Sequence, residues 1–556
     1  MKDFKPALID SLKGYTKKQL MSDVVSGIIV AIIALPLSIA LALASGVGPE
    51  EGLYTAIIAG FLIAALGGSR VQISGPTAAF ATIVAGIVAQ NGLEGLALAT
   101  IMAGIILVLM GIFRLGALIK FIPFTITTGF TAGIAVTIFI GQLKDFFGLT
   151  YPAGLAPIET IEKAEAVIHN FGTINPWAVL IGLISLAILI FWPKLKYVGQ
   201  IPASLVAVIV GAVLVKVFAL PVNTIGDLYT VSSSLPTLRL PGFDFALIHE
   251  VLPDAFTIAI LAAIESLLSC VVADGMTNTK HNSNAELIAQ GVGNIGSALF
   301  GGIPATGAIA RTSANIKSGG KTPISGMVHA VVLLLILVLL MPYAELIPMP
   351  VIAAVLFIVA YNMCQARLFI LMVKTTPGYD KLVLLVTFLL TVVFDLVVAI
   401  VVGLALACLL FMKQMSDETH VTGWKYTKEE ANVAYFRELP REIRVYEING
   451  PLFFGAADRI ADITAKSFTK CIILRMQSHS GIDATAMHAL IGLQKRCAAN
   501  GISLVFSQVN NRSMHVMQKA GFIKTVGKEN FCSNVDAAIA RAKEIIKADE
   551  TVNANN

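Results

Sequence analysis

Two short stretches place glycine, proline and threonine directly ahead of an apolar run: SGPTAAF at 74–80 and GGIPATGAIARTSANIKSGGK at 301–321. Proline suits the first turn of a helix, where its missing N–H has no intrahelical role, and serine or glycine before it suits the cap. The first stretch predicts a helix starting at about Pro76, inside the apolar run rather than at its edge. A helix N-terminus carries partial positive charge and unpaired N–H donors, which is an anion site needing no charged side chain. An ordinary proline at a span boundary gives the same letters, so one such motif decides little. Its recurrence deep in the second half changes the weight, because paired interrupted segments point to a transporter's central site. Irregular backbone at that depth is tolerated only where it lines a cavity. Arg311, one turn into the second helix, adds a positive charge or braces the pair; the alternative is a cytoplasm-facing snorkelling arginine.

Glu265 stands mid-span in AFTIAILAAIESLLSCVV. An ionised carboxylate is costly there, and such a residue is a functional-site hypothesis by default. A carboxyl that takes up and releases a proton suits coupling to anion entry; a structural carboxylate at a helix break is the alternative. Ser269 lies one turn further along the same face. Asp395 reads as a turn residue at the external surface, and His329, alone on an apolar segment, as a packed and satisfied histidine. The chain has no P-loop, no H-E-x-x-H and no nucleophile elbow, and its eight histidines are dispersed. Neither enzymatic chemistry nor a cofactor is expected. A basic patch interleaved with aromatics is missing, so nucleic acid is not an expected partner. The six cysteines, 270, 364, 408, 471, 497 and 532, show no metal-ligand spacing, and most of them read as small buried residues.

Positioning these residues takes a membrane. Of 556 residues, 56% are hydrophobic and 13% charged, against about 45–50% and about 25% in soluble domains; the mean hydropathy is +0.80. A bilayer crossing needs roughly 17–25 apolar residues. Apolar stretches fill 22–412: 24–44, 53–66, 76–90, 95–112, 122–142, 176–192, 203–220, 252–272, 285–302, 324–341 and 349–362, with a weaker one after residue 305. The run Leu382–Met412 is too long for one crossing and reads as two short spans meeting near Asp395, giving fourteen segments. With the N-terminus inside, loops after even-numbered spans should be basic. They hold Arg70, Arg114 and Lys120, Lys194 and Lys196, Lys280, Lys317 and Lys321, Arg367 and Lys374, and Lys413. Loops after odd-numbered spans, such as SGVGPEE and PYAELIP, are neutral or acidic. Both termini are therefore expected in the cytoplasm, with 1–21 an N-terminal segment that carries no cleavable signal.

After residue 413 the composition changes. EIRVYEINGPLFFGAAD reads as strands, KCIILRM and NGISLVFSQV as buried strands, and DATAMHALIGLQKRCAAN, NRSMHVMQKAGF and NVDAAIARAKEIIKA as helices. Such alternation predicts a small α/β domain with a mostly parallel sheet over 442–548, after a polar linker at 413–441 and before a tail at 549–556.

With these residues in hand, the sequence resembles the sulfate permease (SulP) family of anion transporters over nearly its whole length. The resemblance rests on GVGPEEGLYTAIIAGFLIAALGGSRVQISGPTAAF (46–80), on AIESLLSCVVADGMTNTKHNSNAELIAQGVGNIGSALFGGIPATGAIARTSANIKSGGKTPISG (263–326) and on IDATAMHAL (482–490). ALPLSIALALASG, DGMTNTKHNSN and NGPLFFGAAD look most like the bacterial branch that includes proton-coupled C4-dicarboxylate permeases. The resemblance implies an α-helical polytopic membrane protein of the inner membrane, a homodimer. Its fourteen segments would form two inverted repeats of seven, split into core and gate domains, with a cytoplasmic α/β STAS domain. It implies half-helices whose N-termini face each other around the anion at Gly75, Pro76, Thr77, Ala78 and Ala79 and at Gly307, Ala308, Ile309, Ala310 and Arg311. Glu265 matches the family's acidic position. Sodium-coupled bicarbonate members look similar but carry Asp there, Thr where Ser269 stands and Thr where Ile309 stands. An isoleucine offers no sodium ligand, which favours a proton as coupling ion. In the C-terminal domain a phosphorylatable D-S-S-G helix start corresponds to Asp483, Ala484, Thr485 and Ala486. Thr485 is thus a candidate for modification, or for contact with a cytoplasmic protein partner, with simple helix capping by Asp483 as the alternative.

The expected function is secondary active transport of a small anion (dicarboxylate, sulfate or bicarbonate) by proton-coupled, elevator-type alternating access. A sodium-coupled bicarbonate transporter, a passive channel or exchanger, and a receptor with the C-terminal domain as output are the alternatives.

Overall fold

A computed structural model describes residues 5–117, 122–152, 157–195, 201–242, 245–394, 396–423, 439–478 and 481–555. Asp395, Lys120 and Lys196 lie outside the described residues. The chain divides into two compact units, Met1–Leu404 and Ala405–Asn556.

In the first unit, helix α1 (Lys17–Ala44) starts at a capping box in which Thr16 and Gln19 satisfy each other's backbone amides. Helix α2 (Pro49–Leu66) starts with proline in its first turn, beside Glu50 and Glu51, which complement the positive end of the helix dipole. A two-residue strand β1 (Ser74–Gly75) leads into α3 (Ala78–Ile112). Gly92 interrupts α3 with φ +66° and ψ −171°, a conformation that only glycine adopts without strain. The predicted spans 76–90 and 95–112 are therefore two helices folded at a glycine. Then follow α4 (Phe124–Phe147), α5 (Pro176–Phe191), α6 (Ala203–Val217), α7 (Phe245–Thr277) and α8 (Ser283–Leu299). Strand β2 (Thr306–Gly307) leads into α9 (Ile309–Lys317), followed by α10 (Ile324–Leu340), α11 (Met349–Cys364), α12 (Gly378–Val393) and α13 (Leu396–Asp417). With α3 taken as two, each of the fourteen expected segments has a helical counterpart. Among the described residues nine helices are long and apolar enough to cross a membrane alone; α9, at nine residues, is not.

These helices pack as two groups. Helices α1, α2, α3, α7, α8, α9 and α10 pack mainly on one another, while α5, α6 and α12 gather around α4 and α11. Both strands that precede a half-helix belong to the first group.

The second unit carries a five-stranded sheet, β3 (His420–Gly423), β4 (Ile443–Asn449), β5 (Cys471–Ser478), β6 (Ser503–Ser507) and β7 (Phe531–Cys532), in that spatial order. The β3–β4 pair is antiparallel and the others are parallel. Helix α14 (Ala484–Ala499) packs on one face with Leu474, Met476 and Phe506, and α15 (Asn511–Lys519) joins that face through Met517. Helix α16 (Val535–Asn555) covers the other face, with Ala538 and Ala542 against Ile473 and Val505. A strand buried on both sides reads as an unbroken apolar run, which is why CIILRM was legible. Two expectations are corrected. PLFFGAAD is not a strand but a tight helical turn at Phe454–Ala456 running into the short helix Ala457–Ala461. The segment read as linker begins with the end of α13 and the edge strand β3, four residues being too few to show a period in the sequence.

Candidate functional site

The chain reaches the site twice in extended form. β1 and β2 pair antiparallel, Ser74 opposite Gly307 and Gly75 opposite Thr306, and the Ala308 amide donates to the Ile73 carbonyl at 2.9 Å. The interrupted backbone of one segment is thus satisfied by the other, as burial at membrane depth requires. Because the strands are antiparallel, α3 and α9 leave the pair from opposite ends of the short ladder.

Helix α3 begins at Ala78 and not at Pro76, which lies ahead of the Thr77 cap position. Thr77 keeps extended backbone, and its side chain caps nothing in α3; the hydroxyl donates instead to Glu265 Oε2 at 2.9 Å. Helix α9 starts from Ala308, also without a side-chain cap. At neither helix start does the cap residue's side chain bond the first-turn amides. Thr77, Glu265 and Ala308 are half-buried, Ile309 and Ala310 exposed, and Gly75, Pro76, Ala78, Ala79 and Gly307 buried.

Arg311 is 3% exposed. Its Nη2 donates to the Pro76 carbonyl, tying α9 to the approach of α3. A Cβ on Gly75 would stand 2.6 Å from Arg311 Nη1, so glycine is what admits the guanidinium behind the strand. The structure therefore places Arg311 as a brace between the two segments, not as a snorkelling residue. Ser269 is fully buried, and its hydroxyl points to Thr312 Oγ1 at 3.4 Å, an oxygen that also accepts from the Ile73 amide at 3.0 Å. It joins α7 to α9 behind the strands.

Several supporting residues were missed in the sequence. Ser266 Oγ accepts from the Gly307 amide at 3.0 Å and lies 2.7 Å from Thr306 Oγ1. Glu286 accepts from the amides of Gly68 (2.9 Å) and Ser69 (3.1 Å) and from Gln72 (2.8 Å) and Gln290 (3.0 Å). Asn294 clasps Ala305 through its amide (2.8 Å) and carbonyl (2.9 Å). The available signal was the four-residue spacing of Glu286, Gln290 and Asn294, which puts three polar groups on one helix face. Asp23 accepts from Tyr15 (2.7 Å), Lys321 N (2.7 Å) and Thr322 Oγ1 (2.6 Å). Burial, reinforced by that carboxylate, pushes the Tyr15 hydroxyl up to about 12.

One further cluster has the residue types of a hydrolase. His281 Nδ1 lies 2.7 Å from Asp274 and its Nε2 2.9 Å from Ser283 Oγ. The neighbouring amides of Asn284 and Ala285, which could serve an oxyanion, are occupied by the Asn282 side chain, each at 3.2 Å. The cluster fastens the end of α7 to the start of α8. His329 corrects an expectation: it is packed, at 0% exposure, but neither ring nitrogen has a hydrogen-bond partner among the described residues. In the second unit Asp483 caps α14 by accepting from Ala486 N at 2.8 Å and also accepts from Phe454 N at 2.9 Å, while Thr485 is exposed.

A model of the sulfate permease family matches residues 20–387, and one of the STAS domain matches residues 437–538. The protein named "Putative sulfate transporter YvdB" of Bacillus subtilis is 39% identical, over 94% of this chain and 98% of its own. "Bicarbonate transporter BicA" of a Picosynechococcus species is 33% identical over 80% of each chain. The murine Solute Carrier 26 family member A9 anion transporter, in its inward-facing state, shares the fold with a TM-score of 0.86 at 18% identity, covering 97% of this chain and 94% of that one. The paired half-helices thus belong to a transporter fold, and this chain is a member of the sulfate permease family, a multi-pass membrane transporter with a C-terminal STAS domain.

Proposed function

We propose that this protein is a proton-coupled transporter of a small oxyanion, which binds between the first turns of α3 and α9 while Glu265 carries the proton. The observation that carries the reading is the hydrogen bond from Thr77 to Glu265 at 2.9 Å. It connects the start of a half-helix to the mid-span acid through the hydroxyl that would otherwise cap the helix. An ionised carboxylate beside the site repels an entering anion, and a neutral acid does not. Anion and proton therefore favour each other's binding, and the linkage is reciprocal.

Ile309, exposed beside the start of α9, offers hydrocarbon where a sodium site would need oxygen, which supports the proton. Thr77, Glu265 and Arg311 all belong to the helix group built on α3, α7 and α8. That group could carry the anion past the α4–α11 group as an elevator. The relatives named above point to sulfate and bicarbonate; main-chain dipoles select charge rather than molecule, so a C4-dicarboxylate belongs in the same test. The protein is proposed to sit in the inner membrane as a homodimer with both termini cytoplasmic.

The test is uptake by the purified full chain in proteoliposomes of labelled sulfate, bicarbonate and succinate under an inward proton gradient. We expect saturable, gradient-stimulated and sodium-independent uptake of at least one anion, and loss of the stimulation in Glu265→Gln. Unchanged gradient-driven uptake in that variant would sink the proton assignment. Single-channel currents would favour passive conduction.

A further inference from the structure

The last helix of the membrane run carries its apolar surface to its very end. Leu409 and Phe411 of α13 are each 60% exposed, on a helix long and apolar enough to cross the membrane, so lipid is what covers them. The run closes at Met412, and Lys413 follows.

The turn after β4 is fastened to this helix end. Ser416 Oγ donates to the Gly455 carbonyl, and Thr419 Oγ1 lies 3.0 Å from the Pro451 carbonyl. Gly450, at φ +96°, allows the close approach, since a Cβ there would stand 3.0 Å from Thr419 Cα. Within the turn the side chains divide. Leu452 enters the core of the α/β domain and is 1% exposed. Phe453 and Phe454 stay outside that core, with their rings edge to face at 5.2 Å. Phe453 joins Pro451, Phe411, Met412 and Met415 in lining an apolar groove of about 400 Å³, and Phe454 beside it is 57% exposed. All of these residues belong to the second compact unit, Ala405–Asn556.

Helix geometry sets the depth of the groove. Ser416 lies four residues past Met412, about 6 Å along the axis at about 1.5 Å per residue. Headgroups add about 5–8 Å on each side of a hydrocarbon core about 30 Å thick. The turn tied to Ser416 is therefore at headgroup level, and its contact with Phe411 and Met412 brings Phe453 to the hydrocarbon boundary. Apolar aromatics at that level are how interfacial segments hold a membrane surface. A second copy of the chain covering the patch would first have to displace the lipid that coats Phe411, whereas lipid reaches the groove by continuing along α13.

We infer that the Pro451–Phe454 turn is a membrane-contact site of the STAS domain, with phospholipid acyl chains filling the groove between Phe453 and the end of α13. The domain is then held to the leaflet at which α13 ends by side-chain contact as well as by the covalent link, independently of which anion or coupling ion is moved.

The test uses the full chain in phosphatidylcholine liposomes whose acyl chains carry bromine, a contact quencher of tryptophan. Phe454→Trp and Phe453→Trp place the probe on the turn. Phe468→Trp is the control: Phe468 is 47% exposed ahead of β5, at the opposite end of the parallel strands. The emission each variant adds to that of the three native tryptophans is compared in brominated and plain lipid. We expect the added emission of the turn variants to be blue-shifted and largely lost in brominated lipid, and that of Phe468→Trp to be unchanged. Blue-shifted emission that bromine leaves intact would mean that protein, a second copy included, covers the groove. Emission at the wavelength of tryptophan in water would mean that nothing covers it. Either result overturns the inference, as does equal quenching of Phe468→Trp. If Phe453→Trp does not fold, Phe454→Trp, at an exposed position, decides. None of these readouts depends on transport, so their failure is separable from failure of the proton-coupling reading.

Discussion

The two half-helices share a geometry and divide the chemistry. Each follows a two-residue strand and lacks a side-chain cap. The start of α3 reaches out with a hydroxyl, from Thr77 to Glu265. The start of α9 reaches back with a guanidinium, from Arg311 to the Pro76 carbonyl. A symmetric frame thus sends the two half-helices from opposite ends of one strand pair, and unlike residues give one the link to the acid and the other the brace. The contrast with α14 in the STAS domain is equally instructive. There Asp483 spends its carboxylate on the helix's own Ala486 amide and on Phe454. The start of α14 is thus a side-chain-capped joint, and the starts of α3 and α9 are not capped by their cap residues.

Breaking the brace should have the largest effect. Arg311→Ala removes a buried charge-assisted hydrogen bond and leaves the Pro76 carbonyl unmet, a loss of about 1–3 kcal/mol. Thermal unfolding of the purified chain should show it, together with uptake at background; wild-type stability would show that the α9 side is not the brace. Thr77→Val sharpens the comparison from the other side. It removes only the link to Glu265, so stability should change by about 1 kcal/mol while gradient-driven uptake falls about tenfold, and Thr77→Ser should restore it. Equal losses in the valine and serine variants would mean that the hydroxyl is not what matters. Asp483→Ala should be smallest, costing the STAS domain about 1 kcal/mol through the lost cap and leaving uptake kinetics unchanged. Altered uptake in that variant would give the cap a regulatory role.

Much of this arrangement was legible in the sequence. The half-helix starts were legible because glycine, proline and threonine open an apolar run twice, once in each half, where a single such motif reads equally as a span boundary. Glu265 was legible because a carboxyl among apolar residues is expensive. Pro76 misled by two residues, since proline is as comfortable ahead of a cap as in the first turn. His329 misled because sequence shows a residue's apolar neighbours and not its hydrogen bonds. Glu286, Gln290 and Asn294 were visible as a polar stripe but not as clamps, because the amides they hold lie on other segments.

The sequence by itself determined the membrane class, the order of the helical segments, the two interrupted helices and the alternating strands and helices of the STAS domain. Each of these follows from local rules: a bilayer demands long apolar runs, and helix starts and strands carry short-range signatures. Only the tertiary structure decided who meets whom. Thr77 and Glu265 are 188 residues apart, and Arg311 and Pro76 235. Hydrogen bonds over such separations form only once the strands pair and the helices pack, so no local pattern encodes them.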